Sequence, residues 1–174
     1  MPTGELESSR LLVSAFPFHH RARPEGRVSV AKQPARTRPR LVIADDDLVV
    51  QTLLGASLEH DFELVGITGD SDGAIALAKE QQPDAMLVDV EMPGGGGLSA
   101  VRGIVEVAPQ VAIVVLSGDE SDTVVRELIG AGAVAYCRKG IDPDELTELL
   151  IGSIDVRAKE LARSRPPVSS LSNA

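Results

Sequence analysis

From Leu41 onward the sequence predicts an α/β protein of the (βα)5 type, a doubly wound open sheet of five parallel strands with helices on both faces. Three observations carry this expectation. Short apolar runs alternate five times with longer stretches of helical periodicity. The middle runs are apolar throughout, as strands covered on both faces must be. Polar residues close the runs at intervals set by the length of one strand-helix unit.

The first strand is LVIAD, starting at Leu41, and LVVQTLLGASLEH from Leu48 follows as a helix. FELVGI at Phe62 is the second strand, with SDGAIALAKEQQ from Ser71 behind it. DAMLVD at Asp84 is the third, followed after a glycine-rich loop by GLSAVRGIVEVA from Gly97. VAIVVLS at Val111 precedes SDTVVRELIGAG from Ser121, and AVAYCR at Ala133 is the fifth strand. Each of these four helical stretches is about three turns long. A fifth helix starts near Asp142, where Pro143 suits the first turn and the nearby acids suit the positive helix end. Leu146, Leu149, Leu150, Ile154 and Leu161 are expected to form its buried stripe, which carries it to about Arg163. Right-handed crossovers then place helices on both sides of the sheet.

The flanks differ in composition. Residues 1–40 hold five of the eleven prolines and show no sustained periodicity, so they read as a disordered tail ending in the basic QPARTRPR. Residues 41–160 form the domain, and 161–174 read as a frayed tail. The first 40 residues carry eight Lys and Arg against three acids, whereas the remainder carries nine against 23. An acidic domain behind a short basic arm is poorly suited to tight DNA binding through the domain itself. No apolar run approaches the ~20 residues a bilayer requires. LLVSAFPF at Leu11 is short and follows Glu5 and Glu7, which argues against a secretory signal. The single cysteine, Cys137, excludes an internal disulfide framework and suits a reducing cytoplasm. Three scattered histidines without a cysteine cluster argue against zinc.

In open parallel sheets ligands bind at the carboxyl ends of the strands, near the switch in strand order. Asp45, Asp46 and Asp47 close the first strand, Asp89 the third, Ser117 the fourth and Lys139 the fifth. From Asp45 the successive gaps are 44, 28 and 22 residues. One strand-helix unit is about 22 residues, so all four groups share one edge. Adjacent acids repel one another, and a hard cation relieves the repulsion. Mg2+ takes oxygen ligands, keeps several waters and pairs carboxylates with phosphate oxygens. A carboxylate such as Asp89, flanked by acids and a lysine, can attack phosphorus and form an acyl phosphate without a general base. Mg2+ and Lys139 would stabilise the transferring oxygens, and Ser117 could donate to one of them.

ADDD at Ala44, PDAMLVDVEMPGGGG at Pro83, LSG at Leu116 and AGAVAYCRKGIDPDEL at Ala131 together resemble the bacterial response-regulator receiver domain of two-component signalling. The resemblance covers roughly residues 41–160 and is strongest to the subgroup usually fused to a helix-turn-helix output domain. It implies a flavodoxin-like strand order of 2-1-3-4-5. It also implies Asp89 as phosphoacceptor and Asp45 and Asp46 as Mg2+ ligands together with Asp89 and the backbone carbonyl of Glu91. Ser117 and Tyr136 match the switch residues, and Lys139 the lysine of the site. Pro93 and Gly97 fit the loop after the phosphorylation site. A sensor histidine kinase is the implied donor and an unnamed output protein the reader, with a homodimer left open.

Asp47 reads as a helix N-cap. Gly94, Gly95 and Gly96 should make their loop unusually mobile. Glu91 and Asp119 would lie near the path of attacking water and tune the lifetime of the phosphoryl group. The chain is then a signalling domain and not an enzyme, and without a helix-turn-helix it is not expected to bind nucleic acid directly. The alternative within the family is the receiver fragment of a DNA-binding transcription regulator. A Mg2+-dependent phosphatase of the haloacid-dehalogenase type is suggested by Asp45 and Asp47 as a DxD pair. That reading requires a second acidic pair after a strand beyond Lys139, where only a helix follows, and it leaves Asp89 without a role. A flavin site lacks its phosphate cradle, and a dinucleotide site lacks GxGxxG after the first strand.

Overall fold

The computed structural model describes residues 38–118 and 122–164, without the side chain of Asp122. The expected N-terminal tail up to residue 37, Asp119, the helix start at Ser121 and residues 165–174 lie outside the described residues. The elements are β1 (Arg40–Ala44), α1 (Leu48–Leu58), β2 (Glu63–Thr68), α2 (Ser71–Gln81), β3 (Ala85–Asp89), α3 (Gly96–Val107), β4 (Ala112–Ser117), α4 (Asp122–Ala131), β5 (Ala135–Arg138) and α5 (Pro143–Ser164). All neighbouring strands pair in parallel, in the order β2-β1-β3-β4-β5. The fold class read from the alternating pattern and the strand order implied by the resemblance are both observed. The order reverses between β1 and β3, which opens a crevice at their carboxyl ends.

Side chains alternate across the sheet even where the sequence does not. Val42, Met86, Val88 and Ile113 face α2, α3 and α4, where Ala78, Ile104 and Leu128 meet them. Leu41, Ile43, Leu87 and Val114 face the other way, toward Leu58 of α1 and Leu146 and Leu150 of α5. Because both faces are covered, β3 and β4 are buried at every position. Edge strand β2 is exposed or half-buried throughout. Removing each large aliphatic side chain from water contributes about 1.5–3 kcal/mol, so these two layers fix which strand ends come together.

Helix starts follow the local chemistry. The Asp47 side chain accepts from the N–H groups of Val49 and Val50 and caps α1. Asp142 opens α5, its carboxylate accepting from Asp144 N–H at 2.9 Å, with Pro143 in the first turn. Three sequence expectations shift. Phe62 precedes β2 and packs fully buried beside α1, and β5 begins at Ala135 instead of Ala133. Leu161 is 37% exposed and does not belong to the buried stripe. The reason is length: 22 residues of helix run about 33 Å, well beyond the span of a six-residue strand such as β4. Among the described residues, no helix is long and apolar enough to cross a membrane.

Candidate functional site

The carboxylate triplet divides its labour. Asp45 is fully buried and held on three sides. Its N–H donates to Thr68 O at 3.0 Å, its carbonyl accepts from Gln51 Nε2 at 2.5 Å, and its Oδ1 accepts from Asp47 N–H at 2.9 Å. Asp46 is exposed and Asp47 is spent on the helix cap. Asp89, at the end of β3, is 1% exposed. Oxygens of Asp45, Asp46 and Asp89 all lie within 4.8 Å of one another.

Lys139 closes the pocket from beyond β5. Its N–H donates to Ser117 O at 2.9 Å, which continues the β4–β5 pairing by one step. Its Nζ lies 3.0 Å from Asp45 Oδ2 and 2.9 Å from Asp89 Oδ2. Both contacts are short pairings of an ammonium with a buried carboxylate. Burial pushes the Asp89 carboxyl above its usual range, Lys139 pulls it back, and the neighbouring Asp45 charge adds to the rise. Burial works against the Lys139 charge, but Asp89 and Asp45 outweigh it and hold the amine above its ordinary value.

Among the described residues, Asp45 Oδ2 and Asp89 Oδ2 are buried with the Lys139 ammonium as their shared ion-pair partner, and Asp89 Oδ1 is buried without a directed side-chain partner. An unsatisfied buried carboxylate is costly, and an all-oxygen set is what a hard divalent cation takes. Three formal negative charges against one ammonium leave two, which a divalent ion neutralises. The residues present thus fit Mg2+.

The other expected site residues are placed as follows. Ser117 is buried at the end of β4, beside Lys139. Tyr136 is half-buried and packs on the layer beneath α3 and α4, while Cys137 alternates into the opposite layer. Burial pushes the Cys137 thiol up to about 12, so it is an inert small hydrophobe. Glu91 is exposed, two residues beyond Asp89. At Gly97 a Cβ would stand 2.7 Å from Asp89 O, so glycine alone allows this approach of α3 to the pocket.

Two residues around the site were not singled out in the sequence. Gln51 ties the β1 loop to β2 through Asp45 O and Thr68 O. Ser71, fully buried, ties the glycine loop to α2. The loop expected to be free is therefore anchored. Neither residue carries a local signal, because each partner lies in a distant loop.

A parallel sheet in this order, with acids from β1 and β3 and a lysine after β5 converging on its switch point, is the architecture of a signal receiver. The chain belongs to the response regulator receiver domain family, with the match spanning residues 41–151. It is 35% identical over 113 residues to the uncharacterized transcriptional regulatory protein YxjL of Bacillus subtilis (strain 168), covering 64% of this chain and 52% of that protein. It is 33% identical over 114 residues to the response regulator GacA of Pseudomonas aeruginosa, covering 64% and 53%. The chain thus spans about half the length of the curated relatives it matches. Among solved structures it resembles the receiver domain of sensor histidine kinase PA1611 from Pseudomonas aeruginosa PAO1, a structure with a magnesium ion coordinated in the active site cleft. The TM-score is 0.62 at 26% identity, over 68% of this chain and 98% of that one. The signal receiver domain of NarL from Mycobacterium tuberculosis shares the fold, with a TM-score of 0.64 at 21% identity over 68% and 97% of the two chains.

Proposed function

We propose that Asp89 accepts a phosphoryl group and that the resulting charge switches a protein-binding face of the domain. The observation that carries this is the pocket itself: a buried carboxylate whose Oδ2 meets a lysine ammonium at 2.9 Å, with a second buried acid on the same ammonium and a third carboxylate within 4.8 Å. An Asp89 oxygen attacks phosphorus of a phosphohistidine, the P–N bond breaks, and its electron pair stays on the imidazole of the donor. The product is an acyl phosphate on Asp89. Asp45, Asp46, Asp89 and the Glu91 carbonyl would hold Mg2+, which supplies charge neutralisation at the phosphoryl oxygens. Lys139 gives up part of its hold on Asp89 and follows the charge onto the phosphoryl group. Ser117, at the end of the adjacent strand, donates to a phosphoryl oxygen.

A phosphoryl group brings about −1.5 to −2 charges. Ser117 and its loop move toward it, and Tyr136 repacks against α4, which biases a two-state equilibrium. On α1, beside the pocket, Leu48, Val49 and Leu53 are exposed and offer the donor protein an apolar surface. In this reading a sensor histidine kinase is the donor, the output is a protein contact in the cytoplasm, and the domain is a switch and not an enzyme. Similarity to the transcriptional regulatory protein DegU of Brevibacillus brevis, 31% identical over 121 residues, supports a regulatory output in gene expression. The test is intact-protein mass after incubation with acetyl phosphate, with Mg2+ or with a chelator. A gain of one phosphoryl group only with Mg2+, absent in Asp89→Asn, is expected. Equal labelling of Asp89→Asn would overturn the assignment.

A further inference from the structure

The segment from Asp89 into the first turn of α3 contains four consecutive glycines, Gly94 to Gly97. The first three take left-handed backbone angles, with φ of 86°, 101° and 73°. Such a run loses more conformational entropy on ordering than any other sequence would. Its helix also begins without a side-chain cap, since Gly95 stands at the N-cap position. Something else must hold it.

Ser71 does so from α2. Its N–H donates to Pro93 O at 3.0 Å. Its Oγ lies 2.8 Å from Gly96 O and 3.2 Å from Pro93 O, so one hydroxyl hydrogen is shared across both ends of the turn. The side chain is fully buried, and its Cβ is 3.4 Å from where a Gly94 Cβ would be. Asp70 already caps α2 by accepting from Gly73 N–H, so the Ser71 hydroxyl is not needed for that helix. Further along, Gly97 N–H donates to Val90 O at 2.8 Å, which closes the turn that contains Glu91.

We infer that Ser71 is a positioning residue for the metal and phosphoryl site: its buried hydroxyl fixes the glycine loop, and through the loop the Val90–Glu91 backbone. The inference rests on the proposed Mg2+-dependent phosphoryl transfer. Without the hydroxyl the loop samples more states, and the Glu91 carbonyl must be ordered at the expense of cation binding. Outer partners of metal ligands typically carry about ten- to a hundredfold of affinity. Ser71 acts one step further out, so Ser71→Ala is expected to weaken Mg2+ binding about five- to tenfold, the equivalent of one net hydrogen bond.

The experiment is calorimetric titration of Mg2+ into the full chain, as wild type, Ser71→Ala and Ser153→Ala. Ser153 is a second buried serine, bonded within its own helix to Leu149 O. Amide exchange of the metal-free proteins is read in parallel. Expected are weaker Mg2+ binding and faster exchange at the Gly97 amide in Ser71→Ala only. Labelling by acetyl phosphate should slow at limiting Mg2+ and recover when Mg2+ is saturating. If Ser71→Ala does not fold, Gly94→Ala attacks the same contact from the loop side and is expected to reproduce the weakened binding. Unchanged affinity in a folded variant, or an equal loss in Ser153→Ala, overturns the positioning role alone. A wild type that binds no Mg2+ overturns the proposed function and this inference with it.

Discussion

Lys139→Met removes the ammonium and keeps most of the aliphatic stem. In the folded protein it leaves Asp45 and Asp89, 0% and 1% exposed, without the cation that stood 3.0 and 2.9 Å from them. Removing one partner of a buried ion pair costs about 3–5 kcal/mol. Lys139 is 31% exposed, so solvent screens part of this and the expected loss is about 1–3 kcal/mol near neutral pH. The pH dependence fixes the cause. Asp89 already stands above its ordinary value of 3.8, and losing Lys139 raises it further. The folded state then keeps a proton that the unfolded chain releases, so stability falls as pH rises from about 4 through the folded value. Well below its ordinary value of 3.8 Asp89 is protonated in both states, and this contribution to the difference from wild type disappears. Urea unfolding from pH 3.5 to 8 with a chelator present measures it. Adding Mg2+ should restore more stability to the variant than to wild type, because the ion takes over the counter-charge. A variant as stable as wild type at pH 7 without metal would refute the electrostatic account of the pocket.

Other consequences follow from the same geometry. Asp89→Asn removes a buried charge whose folded pKa is raised. It should stabilise the metal-free protein at pH 7 by about 1 kcal/mol, or roughly 4 °C, with the gain fading as pH falls toward 4; an unchanged melting temperature at pH 7 contradicts this. Leu150→Ala on α5 should cost about 2–5 kcal/mol, whereas Leu161→Ala, at an exposed position, should stay within about 0.5 kcal/mol; chemical denaturation of the two variants decides it. Tyr136 is the single tyrosine and there is no tryptophan, so its emission reports β5 directly. It should change on phosphorylation in wild type and not in Asp89→Asn, and a silent signal in phosphorylated wild type counts against a tyrosine switch.

What the sequence revealed of the site follows from the geometry of parallel sheets. Asp45, Asp89 and Lys139 were legible because strand ends in a (βα)5 sheet share an edge, and because carboxylates at the end of an apolar run need a reason. The N-cap role of Asp47 was legible because capping depends only on the next few residues. Ser71 was not, since its partners lie 22 and 25 residues away in a glycine loop whose turn no local pattern fixes. Gln51 sat unremarked in a helix for the same reason: Thr68 O is 17 residues away. Leu161 was misplaced because helical periodicity shows which residues share a face, not where the neighbouring sheet ends.

The most direct test of the account is chemical mapping of the modified residue. The chain is labelled with acetyl phosphate and Mg2+, treated with borohydride to reduce any acyl phosphate to the alcohol, digested and analysed by peptide mass spectrometry. Homoserine in place of Asp89, and at no other carboxylate, is the expected result. A labelled protein in which Asp89 is intact, or in which homoserine stands at Asp45, Asp46 or Asp47 instead, would contradict the claim that the pocket exists to phosphorylate Asp89.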